Sequence, residues 1–246
     1  MRPDSRDDSV AQSARGPSIP MARISVVVPA LNERDGIVDA LRSARQPGVC
    51  EIVVVDGGSR DDTRRRAETE ADRVLSSIRG RASQMNVGAA GTTGDVLLFL
   101  HADTRLPAGF ASAVQRAIGA GAVGGRFDVV LDGSHWFLPV VARLMNVRSR
   151  VTGISTGDQA IFVRRDVFER IGGFAPLPLM EDVELTSRLR RQGHVAALHE
   201  RVTTSARRWE ENGVARTILL MWTLRLAYAC GVSPERLARV YRRARD

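Results

Sequence analysis

The chain has 246 residues, 43% of them apolar and 26% charged, a globular balance with room for a sizeable core that excludes a fibrous or wholly disordered protein. The formal net charge is +8 and all 36 basic residues are arginine, a side chain whose planar fork suits phosphate and carboxylate oxygens. These arginines are scattered in short clusters at 64–66, 190–191, 207–208 and 242–243, and aromatics make up only 5%, which argues against a nucleic-acid-binding module.

Residues Met1 to Arg23 are polar, with no apolar stretch of the kind a secretory signal needs, so residues 1–22 are expected to form a disordered tail, with Met21 a candidate start. Cys50 and Cys230 lack metal-ligand spacing and give no disulfide framework, which points to the cytoplasm. Ile24 to Ala30 is a β-branched run that predicts a buried strand, and Asp35 to Arg45 places Ile37, Val38 and Leu41 at helical spacing. Glu51 to Asp56 predicts a second buried strand, stopped by Gly57-Gly58-Ser59. Asp61-Asp62-Thr63 then opens a charged helix. Val74-Leu75 predicts a short strand, Arg81 to Gly91 a helix, and Asp95 to Leu100 another continuous apolar strand.

This alternation implies βαβ units and an α/β fold with a mostly parallel sheet flanked by helices. Ligands of such sheets bind beyond the carboxyl ends of the strands. Three polar clusters stand there: Asn32-Glu33, Asp56 to Ser59, and His101-Ala102-Asp103. They are expected to meet at one rim.

Further on, Gly121 to Val130 predicts a strand and Trp136 to Val147 an apolar helix. Ile154 to Val163 carries Gly157-Asp158-Gln159 ahead of another strand, and Glu181-Asp182 stand at the start of a helix over Val183 to Gln192. The longest apolar stretch, Val214 to Val232, is interrupted by Arg216 and Arg225. It predicts an amphipathic helix on the core or on a membrane face rather than a span. A domain over 23–212 with a C-terminal amphipathic helical extension over 213–246 is therefore expected.

Five motifs in order resemble the GT-A glycosyltransferases of family 2: Val26 to Glu33, Val54 to Ser59, Leu98 to Thr104, Gly172-Gly173-Phe174 and Met180 to Leu185. The stretches Gly80 to Asn86 and Ser205 to Trp209 are similar to a small bacterial branch of that family, the radical-SAM/selenodomain-associated transferase 2 type. The resemblance covers about residues 23–212. It implies a GT-A fold, Rossmann-like, with a helical segment on the acceptor side at its C-terminus. It also implies inverting transfer of a sugar from a nucleotide diphosphate donor, a UDP-sugar above others, to an acceptor hydroxyl.

The same resemblance assigns roles. Pro29, Asn32, Glu33, Asp56, Gly57, Arg81, Gln84, Ala102 and Asp103 would line the donor site, with Asp56 on the base and arginine on phosphate oxygens. Asp103 would hold Mn2+ or Mg2+, hard cations that prefer oxygen; His101 stands where the family's Asp-x-Asp motif has its first aspartate, as ribose contact, metal ligand or strand cap. Asp182 would be the general base and Glu181 its neighbour. Asp158, Gln159, Arg208 and Trp209 would meet the acceptor or the sugar. Each has a plainer reading: Asp56 in an Asp-Gly turn, Asp103 as a cap, Glu181-Asp182 as acids favoured at a helix N-terminus.

The apolar segments leave a lipid-like acceptor open, of polyprenyl phosphate or carotenoid type, with peripheral contact at the inner face of the cell membrane. Two other readings compete. A sugar nucleotidyltransferase would carry a Gly-rich loop with Arg and Lys after the first strand, where this chain has Pro29 to Glu33 and no lysine anywhere. A non-catalytic basic protein holding membrane or nucleic acid would bind in a salt-sensitive way without turning over a nucleotide sugar.

Overall fold

Strand-forming runs without a single exposed side chain set the centre of the molecule. In the computed structural model, which describes residues 21–244 apart from the side chains of Arg208 and Asn212, β1 (Ile24–Ala30) is buried along its whole length. Its neighbours are β2 (Val49–Asp56) and β4 (Val96–Phe99), both parallel to it, and β3 (Arg73–Ser76) pairs with β2 in the same sense. Helices α1 (Ile37–Ala44), α2 (Thr63–Ala67) and α3 (Arg81–Ala90) make the crossovers. Because both faces of β1 and β4 are covered, alternation is absent there and every residue is apolar or small. Val26 and Val28 pack on one side with Ile37 and Leu41, and Val27 and Val53 on the other with Met85 and Leu185.

The second half of the sheet is mixed. The order is β3-β2-β1-β4-β7-β6-β8-β5, with β5 (Thr104–Arg105), β6 (Gly124–Asp132), β7 (Ile161–Arg164) and β8 (Val195–Ser205). β7 runs antiparallel to β4 and β6, β5 antiparallel to β8, and β6 parallel to β8. Four of the seven pairings are parallel, so the sheet is mostly parallel, with the reversal confined to this half.

Several elements differ from the sequence expectation. The strand β8 and the helix α4 (Phe110–Gly119) have no counterpart in it. β8 is half-exposed and carries His199, Glu200, Arg201 and two threonines, so it lacks the apolar run that marks a strand. Helix α5 (Leu138–Thr152) continues five residues beyond the apolar segment into Arg148-Ser-Arg-Val-Thr152. After α6 (Arg165–Arg170), α7 (Glu181–Leu189) begins at Glu181 itself.

The C-terminal segment is three helices, α8 (Arg207–Asn212), α9 (Val214–Ala229) and α10 (Pro234–Arg243). α9 is not amphipathic: it buries Val214 and Leu224 while leaving Leu219, Trp222 and Leu226 exposed. The polar-apolar division lies in α10. Leu224, Leu237 and Ala238 pack on Leu179 and Met180, so this segment rests on the loop that leads into α7. No helix among the described residues is long and apolar enough to cross a membrane. The tail expected over 1–22 falls, apart from its last two residues, outside the described ones.

Candidate functional site

The carboxyl ends of β1, β2 and β4 lie side by side, and the loops that follow them are tied into one rim. Asn32 N donates to Ser59 Oγ at 3.0 Å, and Arg60 N donates to Asn32 Oδ1 at 2.9 Å, joining the loop after β1 to the loop after β2. Gly36 lies against the third loop: a Cβ there would stand 2.9 Å from the Ala102 carbonyl oxygen and 3.1 Å from Asp103 Cα. The three polar clusters therefore meet, as the βαβ pattern implies.

Asp56, 5% exposed, accepts hydrogen bonds from the Gly58 and Ser59 amides at 3.1 and 3.2 Å. Its turn-forming role is thus real, and it fixes the carboxylate at the strand end. On the Asp103 side, a cleft of about 290 Å³ is lined by Glu33, Asp35, Asp39, Asp103, Arg105 and Arg207, among others. Arg207 Nη2 donates to Glu33 Oε2 at 3.1 Å. Against burial, which lowers it, Glu33, Asp103 and Glu211 raise the Arg207 pKa.

The second half of the site is acidic and enclosed. Asp182, in the first turn of α7, accepts from the Gly157 amide at 2.8 Å and from the Val183 amide at 2.7 Å. Burial first, then Glu181 and Asp158, push its pKa up to about 6, although those two amides pull the other way. Glu181 is 4% exposed and lies 3.7 Å from Arg81 at the start of α3. His101 bridges the halves. Its Nε2 lies so close to Gly157 that a Cβ on that residue would collide with the ring. Burial and then Arg81 hold the His101 pKa low, against Asp103, Asp158 and Asp182, so the ring is neutral at pH 7.

Backbone strain gathers at the same place. Among the described residues, the non-glycine residues with positive φ are Asn32 (54°), Ala160 (47°) and Met180 (68°). One follows β1, one closes the 3-10 turn Gly157–Gln159, and one precedes Glu181. Each costs on the order of 1–3 kcal/mol and persists only where the surroundings enforce it.

Several expected contacts turn out to be supports. Gln84, 3% exposed, donates from Nε2 to the Ala30 and Val55 carbonyls at 2.8 Å, clamping the ends of β1 and β2 beneath Gly57. Gln159 is fully buried, donating to Ser149 Oγ at 3.0 Å and capping its own turn. Trp209 packs with Leu131 and Leu138 in an apolar cluster. Pro29 lies buried within β1 and Ala102 is 3% exposed. The Arg208 side chain lies outside the described ones.

Sequence reasoning missed three residues. Arg148, near the unpredicted end of α5, feels Asp158 and Asp182. Tyr228 of α9 has its pKa raised by burial and then by Glu184 and Asp182, and Tyr241 of α10 lies close enough to Arg81 to raise its pKa further. Only tertiary packing brings these helices to the rim.

Residues 25–172, more than half of the chain, match glycosyl transferase family 2. The chain belongs to that family. Undecaprenyl-phosphate 4-deoxy-4-formamido-L-arabinose transferase of Klebsiella pneumoniae is 33% identical over 103 residues, 36% of this chain and 31% of that one. Glucosyl-3-phosphoglycerate synthase of Mycobacterium tuberculosis is 34% identical over 92 residues, 32% of this chain and 28% of that one. The matches span under a third of the length of these curated relatives.

Among solved structures, the same Mycobacterium tuberculosis synthase in complex with Mn2+, UDP and phosphoglyceric acid superposes with a TM-score of 0.59 at 24% identity. It covers 86% of this chain and 79% of that one. A mannosyltransferase from Pyrobaculum calidifontis in complex with GDP-Man and Mn2+ gives 0.56 at 24% identity, covering 74% and 56%. The fold of this chain is the GT-A fold.

The residues on the rim fit a divalent cation of the kind those structures hold. Among the described residues no group of three or more His, Cys, Asp or Glu is placed to hold an ion. A cation held mainly by substrate phosphates needs only one or two protein ligands. Asp103 would supply a hard carboxylate and His101 a neutral imidazole.

Proposed function

We propose that the chain transfers a sugar from a nucleotide diphosphate donor, UDP-linked before others, to an acceptor hydroxyl with inversion at the anomeric carbon. The observation that carries this reading is that Asp103, Asp158 and Asp182 all lie close enough to His101 to act on its charge, with the Asp182 pKa raised to about 6. A carboxylate with that pKa is ionised at pH 7 yet basic enough to take a proton from a hydroxyl as the bond to carbon forms.

Asp56 and the Asn32 loop would hold the nucleoside, and Arg207 the diphosphate. Asp103 and His101 would hold Mn2+ or Mg2+, which neutralises charge on the leaving diphosphate. Arg81 pins Glu181 beside Asp182, and the like charge of Glu181 keeps the base strong.

The test is a panel of UDP-, GDP- and dTDP-sugars scored by melting temperature with and without Mn2+. One donor that stabilises only with metal is expected; stabilisation by none, or by free nucleoside triphosphates and sugar phosphates instead, would favour a nucleotidyltransferase.

Peripheral membrane contact belongs to the same reading. α5 and α9 share one apolar cluster, and they expose Leu144, Val151, Leu219, Trp222 and Leu226 beside Arg143 and Arg216. Such a surface suits an anionic bilayer, and co-flotation with phosphatidylglycerol vesicles, lost in Trp222→Ser, would check it.

A further inference from the structure

Two arginines near the end of α5 are treated differently by the fold. Arg150 is fully engaged, donating to Asp128 Oδ2 at 2.8 Å and to the Ala197 and Leu198 carbonyls. Arg148, two residues earlier, has its Nε and Nη2 buried with no hydrogen-bond partner. Its position is nonetheless well defined. The adjacent Ser149 accepts from Gln159, and the turn that Gln159 closes holds Asp182 through the Gly157 amide. The end of α5 is thereby moored to the general base.

Two guanidinium nitrogens stripped of water and left without acceptors are costly, and a fold keeps such a group where something else completes it. Burial pushes the Arg148 pKa down, against the pull of Asp158 and Asp182. Arg207 pairs with Glu33 at 3.1 Å and lines the cleft that Asp103 also lines, whereas Arg148 adjoins Ser149, which Gln159 ties to the turn that holds Asp182. Arg207 thus stands on the donor side of the rim and Arg148 on the side of the base.

We propose that Arg148 binds an oxyanion carried by the acceptor, a phosphate or carboxylate close to the hydroxyl that reacts. The inference rests on the reading of Asp182 as the base. It deepens that reading, because it makes the acceptor an anion rather than a neutral lipid or sugar. Two adjacent donors in a planar fork match two oxygens of such a group. The anion has two sources: the headgroup of a membrane lipid, or a water-soluble hydroxy acid or its phosphate ester.

The test uses the full chain with saturating UDP and Mn2+, so that the diphosphate site is filled, and titrates inorganic phosphate and 3-phosphoglycerate by calorimetry. Arg148→Gln is expected to lose at least tenfold in affinity for both anions while UDP affinity stays within twofold. Its melting temperature without ligand is expected to equal or exceed that of the parent, since a buried unpartnered charge has gone. Arg148→Lys should restore part of the anion affinity.

Unchanged anion affinity in Arg148→Gln overturns the proposal, and so does an equal loss of UDP affinity, which would place Arg148 on the donor. A lowered melting temperature with unchanged anion affinity would show a purely structural role and also overturn it. Labelled sugar transferred to 3-phosphoglycerate, or to a polyprenyl phosphate in vesicles, identifies the source; loss of either in Arg148→Gln supports the proposal. Asp182→Asn should still bind phosphate. If that variant also kept full transfer, the base would fall while the anion site stood.

Discussion

The two ends of the sheet treat a carboxylate in opposite ways. At the amino end, Glu51 on β2 accepts from the Thr93 amide and hydroxyl, from Ser25 Oγ and from Arg73. Burial alone would raise its pKa, but these donors bring it down to about 2. At the carboxyl end, Asp182 has two amide donors against burial and two neighbouring acids, and its pKa rises to about 6. The same contrast holds for arginine. Arg165 near Glu51's end donates to the Gly94 and Ala89 carbonyls and to Thr92, while Arg148 at the rim has two buried nitrogens unmet. One end satisfies its charges and holds the fold together; the other leaves them strained and available, as sites of chemistry commonly do.

The largest expected effect breaks the rim. Asp182→Asn should lower transfer by roughly 10²–10⁴-fold, the usual share of a general base, while Mn2+-dependent UDP binding changes little. Because the ionised form is disfavoured in the folded state, the variant should also melt higher at pH 7; a lower melting temperature would mean that Asp182 is structural. Breaking the other end should do the reverse. Glu51→Gln should cost about 2–3 kcal/mol in urea unfolding at pH 7, the scale of a lost charge-assisted network, with transfer by the folded fraction unchanged.

Acidity sharpens the comparison further. Transfer rate at low substrate should fall about tenfold per unit below pH 6 as Asp182 is protonated. The folded pKa of Asp182 is raised, so its contribution to stability improves as pH falls from about 6 toward its unfolded value near 4. Glu51 has a lowered folded pKa, so its contribution is present above about 4.5 and is lost as pH falls toward about 2. Unfolding measured across pH 2–7 in Glu51→Gln and Asp182→Asn should separate the two slopes. The smallest effect is expected at the support beneath the donor loop. Gln84→Ala removes two hydrogen bonds to strand carbonyls, and should cost about 1–3 kcal/mol in stability, with UDP affinity falling only several-fold.

Much of this molecule is legible in one dimension. The buried strands β1, β2 and β4 announce themselves as β-branched runs, and polar residues stand at their carboxyl ends, because a doubly covered parallel strand admits no other pattern. Asp56 and Asp103 could therefore be proposed from pattern, and Glu181 and Asp182 from the family resemblance, without coordinates. Pattern could not separate contacts from supports: Gln84 and Gln159 look like ligand-binding amides, and only burial and their carbonyl and hydroxyl partners show them to be clamps.

What tertiary structure alone decided is which elements wall the rim beside Asp182. Strand β8 lacks an apolar run because it is half-exposed, and the end of α5 is too polar to continue a helical stripe, so neither has a periodic signature. Arg148, Tyr228 and Tyr241 reach the rim from sequence positions far from Asp182. Local pattern records which face of an element is buried, not which other element it is buried against. A site assembled across elements is fixed by packing, and packing is a property of the folded chain.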